Sequence, residues 1–92
     1  MKTSTLTHTI TYDGVVLNKY NADAGEGLPK HEHVYSHLTM CCAGKIAVRK
    51  DGVEVFLTSA SAPVNLKPNE WHEIEAVEDG TVFLNVFAEG KM

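Results

Sequence analysis

Arginine is nearly missing from this chain: Arg49 is the only one among 92 residues. A clamp of several guanidiniums on phosphate or carboxylate groups is thereby excluded. The formal charge of -4 leaves no basic excess for a general nucleic-acid partner. Cysteine is scarce as well, and the two present, Cys41 and Cys42, are neighbours. A vicinal pair closes no loop and bridges only with strain, so a disulfide framework is excluded and a reducing compartment fits. No apolar run approaches the roughly 20 residues of a membrane span, and Met1 to Ile10 is too polar for a signal peptide. These absences lead us to expect a cytoplasmic protein with neither a membrane nor a nucleic acid as partner. Helical periodicity is missing too, since no stretch repeats apolar residues at three- and four-residue intervals.

What is present alternates. LTHTITY places Leu6, His8, Ile10 and Tyr12 on one face and threonines on the other, the pattern of a half-buried strand. Asp13-Gly14 turns the chain, and VVLNKY returns it. Asn21 to Lys30, rich in Gly, Asp and Pro, reads as a loop. His31 to Ala43 reads as one strand, closed by a hairpin at Gly44. IAVRK and VEVFLT flank Asp51-Gly52, the clearest two-residue hairpin signal in the chain. A short VNL strand precedes the turn Lys67-Pro68-Asn69-Glu70. WHEIEAVE, with His72, Ile74 and Ala76 on one face, and TVFLNVFA complete the series. Turn signals about every eight to twelve residues predict an all-β sandwich or barrel. At this length, residues 1–92 form one domain with one core. Apolar residues on both faces of the His31 to Ala43 segment lead us to expect a homodimer that covers the outer sheet.

The stretch GEGLPKHEHVYSHLTMCCAG carries the chemistry. His31, His33 and His37 are spaced by two and four residues, so an extended chain directs all three imidazoles to one side. Neutral imidazole suits Zn, Cu, Fe and Ni, and a row of such donors reads as part of a metal site. Tyr35 and Cys41 share that parity and are candidate catalytic residues, the first as a proton donor and the second as a soft neighbour. His8, isolated on its strand, reads as structural or exposed, and Trp71 as packing or a subunit contact. The acidic residues Glu70, Glu73, Glu75, Glu78 and Asp79 read as a solvated edge, with Glu73 able to orient its neighbour His72.

The spacing resembles the first motif of the cupin family. That motif runs glycine, five residues, H-x-H, three or four residues, glutamate, six residues and glycine. Gly25, His31, His33, His37 and Gly44 keep the spacing throughout, with His37 in place of the glutamate. The second motif is looser: Pro68 matches, Ala62 and Glu70 stand for its glycines, His72 falls one residue early, and Ala76 occupies the place of the final asparagine. The resemblance implies a single-domain jelly-roll β-barrel, with His31, His33, His37 and His72 as ligands of a divalent transition metal, one of Fe, Ni, Mn, Cu and Zn. Losing the glutamate leaves a divalent ion its full charge, so an anionic, chelating small molecule is the expected ligand.

Two function classes follow. One is a metal-dependent enzyme, either a dioxygenase or a lyase or isomerase that uses the ion as a Lewis acid on a small anionic metabolite. The other is a non-catalytic module that binds metal and ligand or senses them. Open positions at the ion would favour the first, and four histidines closing a tetrahedron would favour the second. Histidines that bind nothing would make the chain purely structural.

Overall fold

The computed structural model describes residues 1–90, and no helix lies among them. None is therefore long and apolar enough to cross a membrane. The strands are β1 (Lys2–Thr3), β2 (Thr5–Tyr12), β3 (Val15–Ala22), β4 (Glu26–His31), β5 (His37–Ala43), β6 (Ile46–Lys50), β7 (Val53–Leu57), β8 (Val64–Leu66), β9 (His72–Ala76) and β10 (Thr81–Ala88). They form two five-stranded sheets, in the orders β1-β4-β9-β6-β7 and β2-β3-β10-β5-β8. All ladders are antiparallel except β1 with β4. The chain repeatedly crosses from one sheet to the other, as in a jelly roll. Among the described residues no ladder joins the sheets, so the architecture is an open sandwich rather than the closed barrel expected from the sequence.

Alternation decides what faces inward. In β10, Thr81, Phe83, Asn85 and Phe87 are buried while the residues between them are not, and in β9 the buried set is His72, Ile74 and Ala76, as the sequence pattern predicts. Phe83, Ile46, Leu66, Ile74 and Val48 form the fully enclosed centre, with Tyr20 stacked on Phe83 at 4.9 Å between ring centroids. The Asp51-Gly52 hairpin is as expected. Both residues have positive φ, 48° and 73°, the conformation of a two-residue turn whose twist matches the strands it joins.

Three expectations are corrected. β2 is exposed along its whole length, at the edge of its sheet. Its pairing with β3 also slips between Leu6 and His8, so the four residues of the LTHTITY stripe do not share one face. The segment 21–30 is mostly strand, since β3 runs to Ala22 and β4 starts at Glu26. Finally, 31–43 is not one strand. β4 ends at His31 in one sheet, β5 begins at His37 in the other, and residues 32–36 cross between them. The residues of this stretch supply alternation on both sides of the crossing, so nothing in their pattern marks the break.

Candidate metal centre

The crossing places four histidines from different elements at one end of the sandwich. His31 closes β4 and His72 opens β9, and the two residues pair directly across that ladder. His33 lies in the crossing segment, and His37 opens β5 in the opposite sheet. A backbone bond from Asn69 N–H to the His33 carbonyl, 2.7 Å, ties the crossing segment to the proline turn that precedes His72. Ring centroids are 4.4 Å apart for His31 and His72, 4.8 Å for His33 and His72, 4.8 Å for His33 and His37, and 5.4 Å for His37 and His72. One ring nitrogen from each of His31, His33 and His72 lies within 4.8 Å of the others, so these three could hold a metal ion. His37 borders that group from the other sheet.

Hydrogen bonding sets the tautomers. Nδ1 of His31 meets the Pro29 carbonyl at 2.6 Å, Nδ1 of His72 meets the Glu70 carbonyl at 2.8 Å, and Nδ1 of His33 meets the Tyr35 carbonyl. A carbonyl only accepts, so each Nδ1 carries the proton and each Nε2 keeps a bare lone pair. The Nε2 atoms of His33 and His72 are buried without any partner. Leaving such an acceptor unsatisfied costs about 1–3 kcal/mol each, and a cation among them removes that cost. His37 follows the same rule by a different route. The Thr39 hydroxyl donates to Asn85 Oδ1 at 2.7 Å, so it accepts from His37 Nδ1–H at 3.1 Å. The donor set thus fits a divalent transition metal.

Burial reinforces neutrality. Desolvation, followed by the neighbouring His33 and His72, pushes His37 down from 6.5 to about 4, and His72 is lowered too, mainly by its own burial. Both rings are unprotonated at neutral pH, as ligation requires. The same shifts predict acid sensitivity of the metal-free fold. Between pH 6.5 and about 4 the unfolded chain takes up a proton on His37 that the native chain refuses, so stability is whole above 6.5 and falls as pH drops through that window. The loss from His37 should amount to about 3 kcal/mol at the lower end, with His72 adding in the same direction. Urea midpoints measured at intervals across this range check it; a flat profile would contradict the burial argument.

The other candidates divide. Tyr35 joins the site: its ring stacks on His33 at 4.2 Å and lies 5.4 Å from Phe87. Cys41 does not join it. Four residues beyond His37, or roughly 13 Å along the strand, it sits in the apolar core, where burial raises its thiol pKa and Sγ bonds the Ala43 carbonyl at 3.2 Å. Glu73 does not orient His72 either. It points to the outer face and pairs with Arg49 at 3.0 Å, while the backbone of Glu70 does the orienting. Trp71 is half exposed, with the Lys30 ammonium 6.0 Å from its ring centre. His8 is exposed at the edge strand.

The sequence reading missed one polar feature. Thr9, Asn18, Asn85 and Thr39 are register partners on four successive strands, and they form a polar rung directly beneath His37. Bonds from Thr9 to Asn18, 2.8 Å, and from Thr39 to Asn85, 2.7 Å, join its ends. A lone asparagine within the apolar run TVFLNVFA, on its inward parity, was the available signal.

No protein-family profile matches the chain, and no curated protein matches it in sequence. Solved structures do resemble it. KdgF from Halomonas sp. superposes with a TM-score of 0.79 at 14% identity, over 88% of this chain and 74% of that one. A cupin 2 domain-containing protein from Halorhodospira halophila gives 0.80 at 19% identity, over 92% and 64%. A cupin superfamily protein from Desulfitobacterium hafniense gives 0.72 at 16% identity, over 92% and 74%. Two facing five-stranded sheets, the likeness to these structures and the histidines at one end lead to a single description: the chain has the cupin fold and carries a cluster of three histidines able to hold a metal.

Proposed function

We propose that this chain is a metal-dependent cupin enzyme acting on a small anionic, chelating metabolite. The observation that carries the reading is the pair of buried, unpartnered Nε2 atoms on His33 and His72, each with its Nδ1 held by a backbone carbonyl. His31, His33 and His72 would hold a divalent transition ion, with His37 as the fourth imidazole. When bound, the ion supplies Lewis acidity toward a carbonyl or carboxylate oxygen, or one-electron chemistry with dioxygen if it is a redox metal. The protein's own groups supply the rest. All-imidazole ligation contributes no negative charge, so the anion is attracted by the whole charge of the ion. Tyr35 stands at the site as the residue able to give or take a proton, and the polar rung below His37 fixes the tautomer of that ring. An isomerase or lyase with a non-redox ion and a dioxygenase with iron both fit this arrangement, and the identity of the metal separates them.

Elemental analysis of untagged protein should return about one transition-metal ion per chain. Protein that holds none, even after reconstitution, overturns the reading. A second expectation isolates the role of charge. His37→Glu should keep the metal but weaken binding of oxalate, a dicarboxylate probe, by roughly tenfold to a hundredfold, because it adds a negative charge beside the ion. Calorimetric titration of both proteins checks this, and equal oxalate affinities would show that the charge of the site does not select the ligand.

A further inference from the structure

The outer face of the β1-β4-β9-β6-β7 sheet holds a hollow that the metal centre leaves unused. Inward parity in β9 belongs to His72, Ile74 and Ala76, so Trp71 and Glu73 point outward, and Arg49 is the register partner of Glu73 on β6. Lys30 stands before His31 as Trp71 stands before His72, and the Lys30 ammonium lies over the indole, 6.0 Å from its centre. With Lys50 and Asp51 of the β6–β7 hairpin, these residues line a volume of ≈ 320 Å³. That is at the lower end of the about 300–1,000 Å³ of small-molecule sites. Its one large apolar surface is left open, since Trp71 is 52% exposed.

We propose that this hollow binds a neutral sugar, with a pyranose ring laid on Trp71. The polar groups around the indole carry both signs, and this selects the ligand. An anion would meet the carboxylates of Asp51 and Glu73, with Glu54 and Glu75 held beside them by the same guanidinium. A cation would meet Lys30, Arg49 and Lys50. A plain aromatic ligand would cover the indole but strip water from the charged rim and return no hydrogen bonds. An uncharged polyol avoids all three penalties, because each hydroxyl both donates and accepts. It takes bonds from the ammonium and guanidinium groups and gives them to the carboxylates, and bonds to ionised partners are the stronger kind. The negative face of the indole attracts the polarised C–H face of the ring. Much of the rim is also set in place beforehand. Arg49 is fixed by Glu54 through Nε, 2.6 Å, and by Glu73 and Glu75 through Nη1, 3.0 and 2.8 Å, while Nη2 takes part in none of these bonds. Lys50 is committed to the Asn65 carbonyl at 3.2 Å and to Glu70 at 3.7 Å. Among the described residues no carboxylate forms an ion pair with Lys30, which leaves it as the donor free to follow a ligand.

Heteronuclear magnetic resonance of the nitrogen-labelled full chain tests the proposal. Trp71 is the only tryptophan and Arg49 the only arginine, so the indole N–H and the Arg49 Nε–H signals identify themselves. Cellobiose, a neutral disaccharide with flat rings, should shift both signals and saturate with a dissociation constant of about 1–10 mM. Trp71→Ala, read at Arg49, should weaken binding about tenfold or more. Lys30→Met should weaken it about three- to tenfold. Both side chains lie outside the core, so the dispersion of the backbone amide signals should persist in each variant. Phe56→Ala removes another exposed aromatic of the same sheet that does not line the hollow, and it should bind cellobiose as the wild type does. Shifts that stay linear up to about 100 mM, or that survive Trp71→Ala unchanged, overturn the proposal. Tighter binding of glucuronate or of choline than of cellobiose overturns it too, and assigns the hollow to an anion or to a cation.

Discussion

Replacing His72 by alanine is expected to lower transition-metal affinity by about 100-fold or more, beyond the tenfold to hundredfold cost of disturbing only a group that orients a ligand. Three features concentrate the effect on this residue. Its ring lies 4.4 Å from that of His31 and 4.8 Å from that of His33. Its Nε2 is buried without a protein partner, and its Nδ1–H is already committed to the Glu70 carbonyl, so the ring cannot turn away without losing a bond. His72 is also part of the enclosed interior, so His72→Ala leaves a cavity and destabilises the fold by itself. His31→Ala separates the two effects. That ring is only half-buried, so its removal should spare the fold while still depriving the ion of one of three clustered donors. His8→Ala, at the exposed edge strand, is the control and should change nothing. Metal content and competition titration with a chelator give the readout. Stoichiometric, tight metal in both His31→Ala and His72→Ala would rule out the three-histidine centre.

Gly27→Ala is expected to be the most destabilising small substitution in the chain, costing about 3 kcal/mol or more, at or above the upper range for forcing atoms into a packed interior. An added Cβ would lie 1.9 Å from the Ile74 carbonyl oxygen, 2.8 Å from its carbon and 2.9 Å from the Glu75 Cα. All three are backbone atoms of β9, so no side chain can swing aside. The clash is relieved only by parting β4 from β9, the ladder whose end pairs His31 with His72. For a domain of this size, that cost corresponds to a fall in melting temperature of more than about 10 °C. Metal affinity should fall with it. A melting temperature within about 3 °C of wild type would mean that the strands do not approach as closely as the structure places them.

Gly27 also shows where sequence reading stops. The framing glycines Gly25 and Gly44 attract attention because a motif names them, whereas Gly27 between them resembles any other loop residue in GEG. Its role exists only when β9, some fifty residues later in the chain, lies against it. The same holds for Asn85. Within TVFLNVFA it interrupts an apolar run, but only register with Asn18 and Thr39 makes it a member of a polar rung that sets the tautomer of His37.

Much of the architecture follows from local pattern. Alternation, the Asp-Gly turns and the proline turn predict an all-β chain and most of its strands, because strand periodicity and turn conformation are properties of adjacent residues. The identity of the site is legible for a related reason: histidines are the chain's only plentiful side-chain nitrogen donors that are neutral at pH 7, and their spacing sets them apart. What local pattern could not decide was how they come together. Parity placed His31, His33 and His37 on one face of one strand, yet they stand on two sheets and the crossing between them. The choice between an unbroken strand and a crossing depends on whether residues 32–36 find a neighbouring strand to bond, and that is settled by distant segments. Tertiary structure likewise moved Cys41 into the core, turned Glu73 toward Arg49 and left β2 bare at the edge. Sequence by itself determined which side chains could bind a metal; only the packing of two sheets against one another decided which of them meet.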